Sequence, residues 1–246
     1  MPSVFLSPSL QEYNPYVNGG NEEYYMNLIA DEMVPILTSS GIEVGRNNPE
    51  QTLSQAIAQS NAGNYNLHLA IHSNAAPPSN AGNVRGADIY YLASSAQSTR
   101  AANIFANNYK LIYPDPSLVK TISTTSLAEI IRTKAPAILI EVAYHDNPED
   151  AQWIRDNISA IAENLSASVS DFLGVLEEEA AAPRQGRVTT QNTALNIRSQ
   201  PSVNSQVIGQ APRGAILTVL GTEGSWYLIN YNGLQGYVSS NFVTII

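Results

Sequence analysis

The sequence predicts an α/β domain, a mostly parallel sheet with helices on both faces, followed by a small all-β barrel. Three observations predict it. Residues 1–175 alternate short apolar runs with segments of helical apolar spacing, the pattern of a layered α/β fold. The segment LEEEAAAPRQG, residues 176–186, breaks that pattern with an acidic run, small residues, Pro183 and Gly186, and reads as a solvated linker. Residues 187–246 carry only short alternating runs separated by turn residues, which suits a barrel of about sixty residues.

The elements follow in order. Val4-Phe5-Leu6 is a short apolar run and reads as a buried strand. Residues 22–38 place Met26, Ile29, Ala30, Met33 and Leu37 at helical spacing, and Gly41 follows as a stop signal. Residues 50–61 read as a second helix. LHLAIHS, 67–73, and ADIYYL, 87–92, are strands, and 96–111 is helical. SLAEIIRT, 126–133, is a short helix or turn. AILIEVAY, 137–144, is nearly continuous in apolar residues, as a central parallel strand should be. Residues 147–173 form one long amphipathic helix with Pro148 near its first turn. Beyond the linker, TALNIRS, AILTVLG, WYLINY and GYVSS alternate, with Pro201, Gly209, Gly214, Gly224 and Asn232-Gly233 as the turns between them. Asn-Gly between two alternating runs is a strong hairpin signal.

Composition removes several classes of function. A net charge of -9 and a pI near 4.7 lack the basic footprint of a nucleic-acid binder and disfavour an anionic membrane surface. With no cysteine, thiolate metal sites and a Cys nucleophile are excluded. No run of about 18 apolar residues exists, so no membrane-spanning helix is expected. MPSVFLSPSLQEYN shows no basic segment leading into an apolar one, so no secretory signal is visible.

Histidine chemistry must draw on His68, His72 and His145. His68 and His72 lie four apart on one strand and point to the same face. About 13 Å separates them at ~3.3 Å per residue, too far to share a metal, so His68 reads as structural. His72 sits at the strand's C-terminal end, where sites gather in open α/β sheets. Glu141 interrupts AILIEVAY, and a carboxylate in an apolar strand is costly unless something pairs with it. Glu22 and Glu23 open the first helix, and helical geometry alone does not choose which faces the sheet. A strand-end His, a helix-start Glu and a strand Glu suit a zinc hydrolase, which needs N/O ligands, an open position for water and a carboxylate base.

Several ordered motifs carry a family resemblance. VFLSPS, NEEYYMNLIAD, LAIHSNA and APAILIEVAYHDNPEDAQWI resemble the zinc-dependent N-acetylmuramoyl-L-alanine amidases, wall-lytic enzymes also used by phages as endolysins. LNIRSQPS, Trp226-Tyr227 and GYVSS resemble the bacterial SH3-like wall-binding domains. The resemblance implies an amidase domain over 1–175 and a wall-binding module over 187–246. It implies Zn2+ as cofactor, peptidoglycan as partner, and hydrolysis of the amide between N-acetylmuramic acid and L-alanine. Action at the cell wall would follow, reached by an endolysin route or by release from a mother cell. Aligning on the family's helix places a metal-binding Glu at Glu23; the S-I-H-x-N-A segment places a metal-binding His at His72; the late E-V-G-F-like segment makes Glu141 the catalytic acid/base. The family's first ligand, in a P-G-H segment, falls on Leu10, which cannot bind zinc. His145, where the family has an apolar residue, is the expected replacement, with Gln11 and Glu12 as weaker substitutes. Two other functions remain open: a wall-binding protein whose amidase-like domain has lost zinc, and a zinc peptidase acting on the stem peptide.

Overall fold

The computed structural model describes residues 1–175, 184–191, 193–223 and 225–246. Most of the expected linker (176–183) and the turn residue Gly224 therefore lie outside the described residues. The chain divides into two compact units, Met1–Glu177 and Glu178–Ile246.

The first unit is a six-stranded sheet with helices. Its strands are β1 (Ser3–Pro8), β2 (Glu43–Arg46), β3 (Leu67–Asn74), β4 (Ala87–Tyr91), β5 (Val119–Ser123) and β6 (Ala137–Tyr144), in the order β2-β1-β3-β6-β4-β5. The sheet is parallel except where β4 runs antiparallel to β6. The two outer strands, EVGR and VKTIS, are ones the sequence patterns do not reveal. Both are short edge strands bearing charge, which is how sheets blunt their edges and why they lack an apolar signature.

The helices are α1 (Glu22–Ser39), α2 (Leu53–Ala62), α3 (Ala96–Tyr109), α4 (Ala128–Ile131), α5 (Pro148–Asp156) and α6 (Ile158–Leu173). The long helix expected over 147–173 is two, because Asn157 leaves helical geometry at φ -126°, ψ 25°. Met26, Ile29, Ala30, Met33 and Leu37 of α1 are all fully buried, in a core shared with α3 and α6 and with Leu67, Leu69, Ile71, Ile138 and Ile140. On the opposite face, Ile130 of α4 packs on Ala70, Ala137 and Leu139. Strand alternation gives His68, His72 and Glu141 to that second face. Asn21 caps α1 by accepting from the Tyr24 amide, which locates the helix start and hence Glu22 at the sheet's C-terminal edge.

The second unit is a seven-stranded antiparallel sheet of β7 (Arg184–Val188), β8 (Leu195–Arg198), β9 (Val207–Ala211), β10 (Ile216–Glu223), β11 (Trp226–Tyr231), β12 (Leu234–Ser239) and β13 (Val243–Ile245), ordered β13-β7-β10-β11-β12-β8-β9. Arg184, Gln185 and Gly186, which composition assigns to the linker, are paired in β7 with β10 and β13. Asn232 and Gly233, at φ 53° and 86°, turn β11 into β12, the double positive φ of a type I′ hairpin. Gly209 is in β9 rather than a turn; a Cβ there would lie 2.4 Å from the Leu234 side chain, so close packing accounts for the glycine. Ile197, Leu217, Val219, Ile229 and Val238 are the fully buried centre of this unit.

Candidate active site

The C-terminal ends of β1 and β3, the start of α2 and the short α4 meet at a cavity of ≈ 370 Å³, lined by Ser7–Gln11, Tyr13, Gln51–Leu53, His72 and Glu129. His72 is the hub. Its Nδ1 lies 2.9 Å from Glu22 Oε1 and 3.3 Å from Gln11 Nε2, and its Nε2 lies 3.2 Å from Glu129 Oε2. Burial works to lower the His72 pKa, but the bonds to Glu129 and Glu22 outweigh it and raise the value well above the usual histidine range.

Glu22, not Glu23, is the helix-start acid at His72. It is 1% exposed, accepts from Asn14 Nδ2 at 2.7 Å, and receives the Ser73 amide at 3.4 Å. Burial pushes its carboxyl up, yet the His72 bond and charge, with help from Asn14 and Ser9, bring it below the ordinary value. Glu23 lies one residue, about 100° of helix, further round. It lines a separate depression of ≈ 770 Å³ with Glu12, Asn27 and Arg46, away from His72, and burial with the nearby charges of Glu12 and Glu50 raises its pKa. The resemblance points to Glu23, whereas the structure brings Glu22 to His72: both flank the apolar stripe of α1, and only the capped start of the helix resolves its rotation.

The structure places His145 against Ser73 and Tyr16 rather than in contact with His72 or Glu22. Its Nδ1 is 2.8 Å from the Ser73 carbonyl oxygen and 3.1 Å from Ser73 Oγ, and its ring stacks on Tyr16 at 5.3 Å. A carbonyl acceptor requires Nδ1 to carry the proton, which leaves the ring's electron pair on Nε2. The ring is a buried fastener between β3, β6 and the 14–20 loop, where the Val17 amide also bonds the His145 carbonyl. Leu10 lines the cavity.

Glu141 stands beside His72 in the β3–β6 register and opposite Asp88 in the β4–β6 register. Its Oε2 is buried with no hydrogen-bond partner among the described residues. Burial, with the charges of Glu22, Asp88 and Glu129 and against that of His72, pushes its pKa up to about 7.

Glu129 is the site residue that sequence reasoning missed. It is 4% exposed, and besides His72 it takes Ser7 Oγ and, at 3.2 Å, His68 Nε2 on its other oxygen. His68 in turn meets Ser60 Oγ at 2.9 Å through Nδ1. Burial raises the Glu129 carboxyl, and the His68 and His72 bonds more than reverse this, holding it well below the ordinary carboxylate range. The signal for it was available: like Glu141, it is an acid set among apolar residues, in SLAEIIRT.

The donors suit a zinc ion in kind. With Glu129 on Nε2 and Glu22 on Nδ1, the ring as it stands donates to both carboxylates, in keeping with its raised pKa, and a metal ion would have to displace the Nδ1 proton. Two electron-pair donors 2.9 Å apart require a positive species between them, a proton or a metal ion. Among the described residues, no three His, Cys, Asp or Glu side chains are grouped to hold a metal; Glu22 and His72 are two donors of the kinds zinc takes, where structural and catalytic zinc sites have three or four.

Comparison with known proteins gives the lineage. The family model of N-acetylmuramoyl-L-alanine amidase matches residues 10–171, more than half of the chain, and that of the bacterial SH3 domain matches 193–244. The putative N-acetylmuramoyl-L-alanine amidase YrvJ of Bacillus subtilis is 29% identical over 99 residues, 39% of this chain and 18% of its own length. Bacteriocin BCN5 of Clostridium perfringens is 25% identical over 117 residues, 46% of this chain and 13% of its own length. Among solved structures, the N-acetylmuramoyl-L-alanine amidase AmiC2 of Nostoc punctiforme superposes with a TM-score of 0.63 at 18% identity, covering 70% of this chain and 97% of its own. The curated relatives are thus much longer than the part matched, and the structural likeness is one of fold. The chain belongs to the N-acetylmuramoyl-L-alanine amidase family and carries a C-terminal bacterial SH3 domain.

Proposed function

We propose that the N-terminal domain hydrolyses the amide between the lactyl group of N-acetylmuramic acid and L-alanine in peptidoglycan, using a zinc ion held by Glu22 and His72. The observation that carries this reading is Glu141 Oε2, buried without a partner among the described residues and beside His72, on a carboxyl group whose pKa burial raises. An unsatisfied buried carboxylate is costly unless chemistry uses it. Zinc, when bound, supplies Lewis-acid polarisation of the scissile carbonyl and acidifies water.

The chain's own residues do the rest. Glu141 takes a proton from the attacking water and returns it to the departing amine, and a carboxyl with a pKa near the working pH can do both. The return step matters because an amide anion leaves poorly. Glu129, with His68 and Ser7 behind it, holds the His72 ring with Nδ1 facing Glu22. Asn14 donates to the other Glu22 oxygen and so fixes that carboxylate.

The SH3 domain is the wall anchor in this reading. Trp226, Phe242, Val203 and Arg198 line a cavity of ≈ 540 Å³ on it, an aromatic and cationic surface fit for a wall peptide. A weak binder tethered to the enzyme raises the local concentration of a repeated polymer substrate. The place of action is the cell wall.

Digestion of purified peptidoglycan by the full chain tests the proposal. Intact glycan with free lactyl groups and peptides beginning at L-alanine are expected, with loss on chelation, return on adding zinc, and at least about a hundredfold loss in Glu141→Gln. Fragments cut within the stem peptide would show the peptidase reading instead. Wall binding without any product under zinc would show a binding protein that has lost its enzyme.

A further inference from the structure

Glu23, next to Glu22 in the chain, lines a depression beside the His72 cavity rather than that cavity itself. We infer that this depression of ≈ 770 Å³ is a substrate subsite for a primary ammonium group, the side-chain amine of a stem-peptide residue near the scissile amide. The inference deepens the peptidoglycan reading above and rests on it.

The lining offers acceptors that the chain itself does not use. Arg46, its one cation, is paired with Asp31 and donates to Asn27 Oδ1 at 2.7 Å. Glu12 and Glu23 are left over: among the described residues, no hydrogen bond or ion pair reaches either carboxylate. Asn47 adds a third acceptor. It is 5% exposed, and its Nδ2 donates to the Pro8 carbonyl at 2.9 Å, which sets the orientation of the amide. Its Oδ1 is then buried with no partner among the described residues. A buried acceptor without a donor is costly, and a ligand carrying N–H groups supplies what is missing. Two carboxylates on one cavity repel each other until a cation joins them. The exposed ring of Tyr24, on the same cavity, gives that cation a π face as well. An ammonium has three donors, a positive charge and no acceptor, and so matches this set.

Three segments of chain connect the depression to the catalytic centre. Glu23 follows Glu22, which bonds His72. Glu12 stands between Gln11 and Tyr13, which line the His72 cavity. Asn47 and Pro49 come just before Gln51 and Leu53 of that cavity. The two hollows are thus neighbours at the C-terminal edge of the sheet, a few residues of chain apart. An extended peptide advances about 3.3–3.6 Å per residue, so a side chain two or three places beyond the scissile amide comes within reach of these acceptors.

The test uses two probes: a muramyl tripeptide with lysine as its third residue, and the same compound with that lysine Nε-acetylated. Their binding to the chelator-stripped full chain is measured by calorimetry, and their hydrolysis, with zinc restored, by chromatography. The lysine form should bind at least about fivefold more tightly, as one charge-assisted contact in a partly solvated site allows, and the preference should shrink as salt is raised. Glu23→Gln should remove most of that preference and Glu12→Gln should reduce it, each leaving binding of the acetylated form within about twofold. Circular dichroism checks that both variants are folded. Equal binding of the two probes, binding of neither, or a preference that both variants keep in full overturns the inference. Equal binding with both probes cut at the lactyl amide overturns it alone and leaves the amidase reading standing. A lysine preference that depends on Glu23, with neither probe cut, supports the ammonium subsite and overturns the amidase reading instead.

Discussion

Glu129→Gln isolates the carboxylate behind His72. The change keeps the side chain's volume and removes one of its two acceptor oxygens. Glu129 receives three donors in the structure: His72 on Oε2, and His68 with Ser7 on Oε1. A carboxamide offers one oxygen and one NH2, so at least one buried donor must then face another donor. Each donor left unpaired costs about 1–3 kcal/mol. At roughly 2–4 °C per kcal/mol for a domain of this size, one lost acceptor should lower Tm by about 2–12 °C. There is a second consequence. If the NH2 faces His72, Nε2 can no longer keep its proton as a donor, and the ring's one remaining proton stays on Nδ1, where a metal ion would bind. Loss of such an outer partner weakens metal binding by about 10–100-fold. Calorimetric melting of the metal-free protein separates the first effect, and zinc titration of the folded variant the second. A Glu129→Gln protein that melts within about 1 °C of wild type and binds zinc within about twofold would refute the reasoning.

Three further outcomes follow from the same geometry. Glu22→Gln should lose zinc affinity by more than about tenfold while Glu23→Gln stays within about twofold of wild type, measured by the same titration, because only Glu22 reaches His72. His145→Ala should leave zinc stoichiometry and affinity unchanged yet lower stability in urea by about 1–3 kcal/mol, since it strands the Ser73 carbonyl and removes the ring packed on Tyr16. Trp226→Ala should weaken sedimentation of the protein with purified cell walls while leaving hydrolysis of a soluble muropeptide unaltered, because the residues lining the Trp226 cavity all belong to the second unit.

Much of the fold was legible because burial writes its period into the chain. β3 and β6 are buried on both faces and read as continuous apolar runs; α1 has a buried stripe at helical spacing. In the first unit the strands that escaped, β2 and β5, are edge strands with charged residues and no such period. The break between α5 and α6 escaped because Asn157 interrupts the backbone without interrupting the amphipathic pattern.

For the site, the sequence by itself determined which residues could do chemistry. His72 and Glu141 were marked by their own strands: one at a strand end, the other a charge where apolar contact is the rule. Leu10 was marked as the place where the family's ligand is missing. Only the tertiary structure decided who stands beside whom. It turned α1 so that Glu22 rather than Glu23 meets His72, sent His145 to the Ser73 carbonyl, brought Glu129 across from α4, and set Gln11 against Nδ1. The physical reason is that a residue's type and period are local properties, written along the chain. The partner of a buried charge is found across strands and helices as much as 122 residues apart, and it is selected by packing.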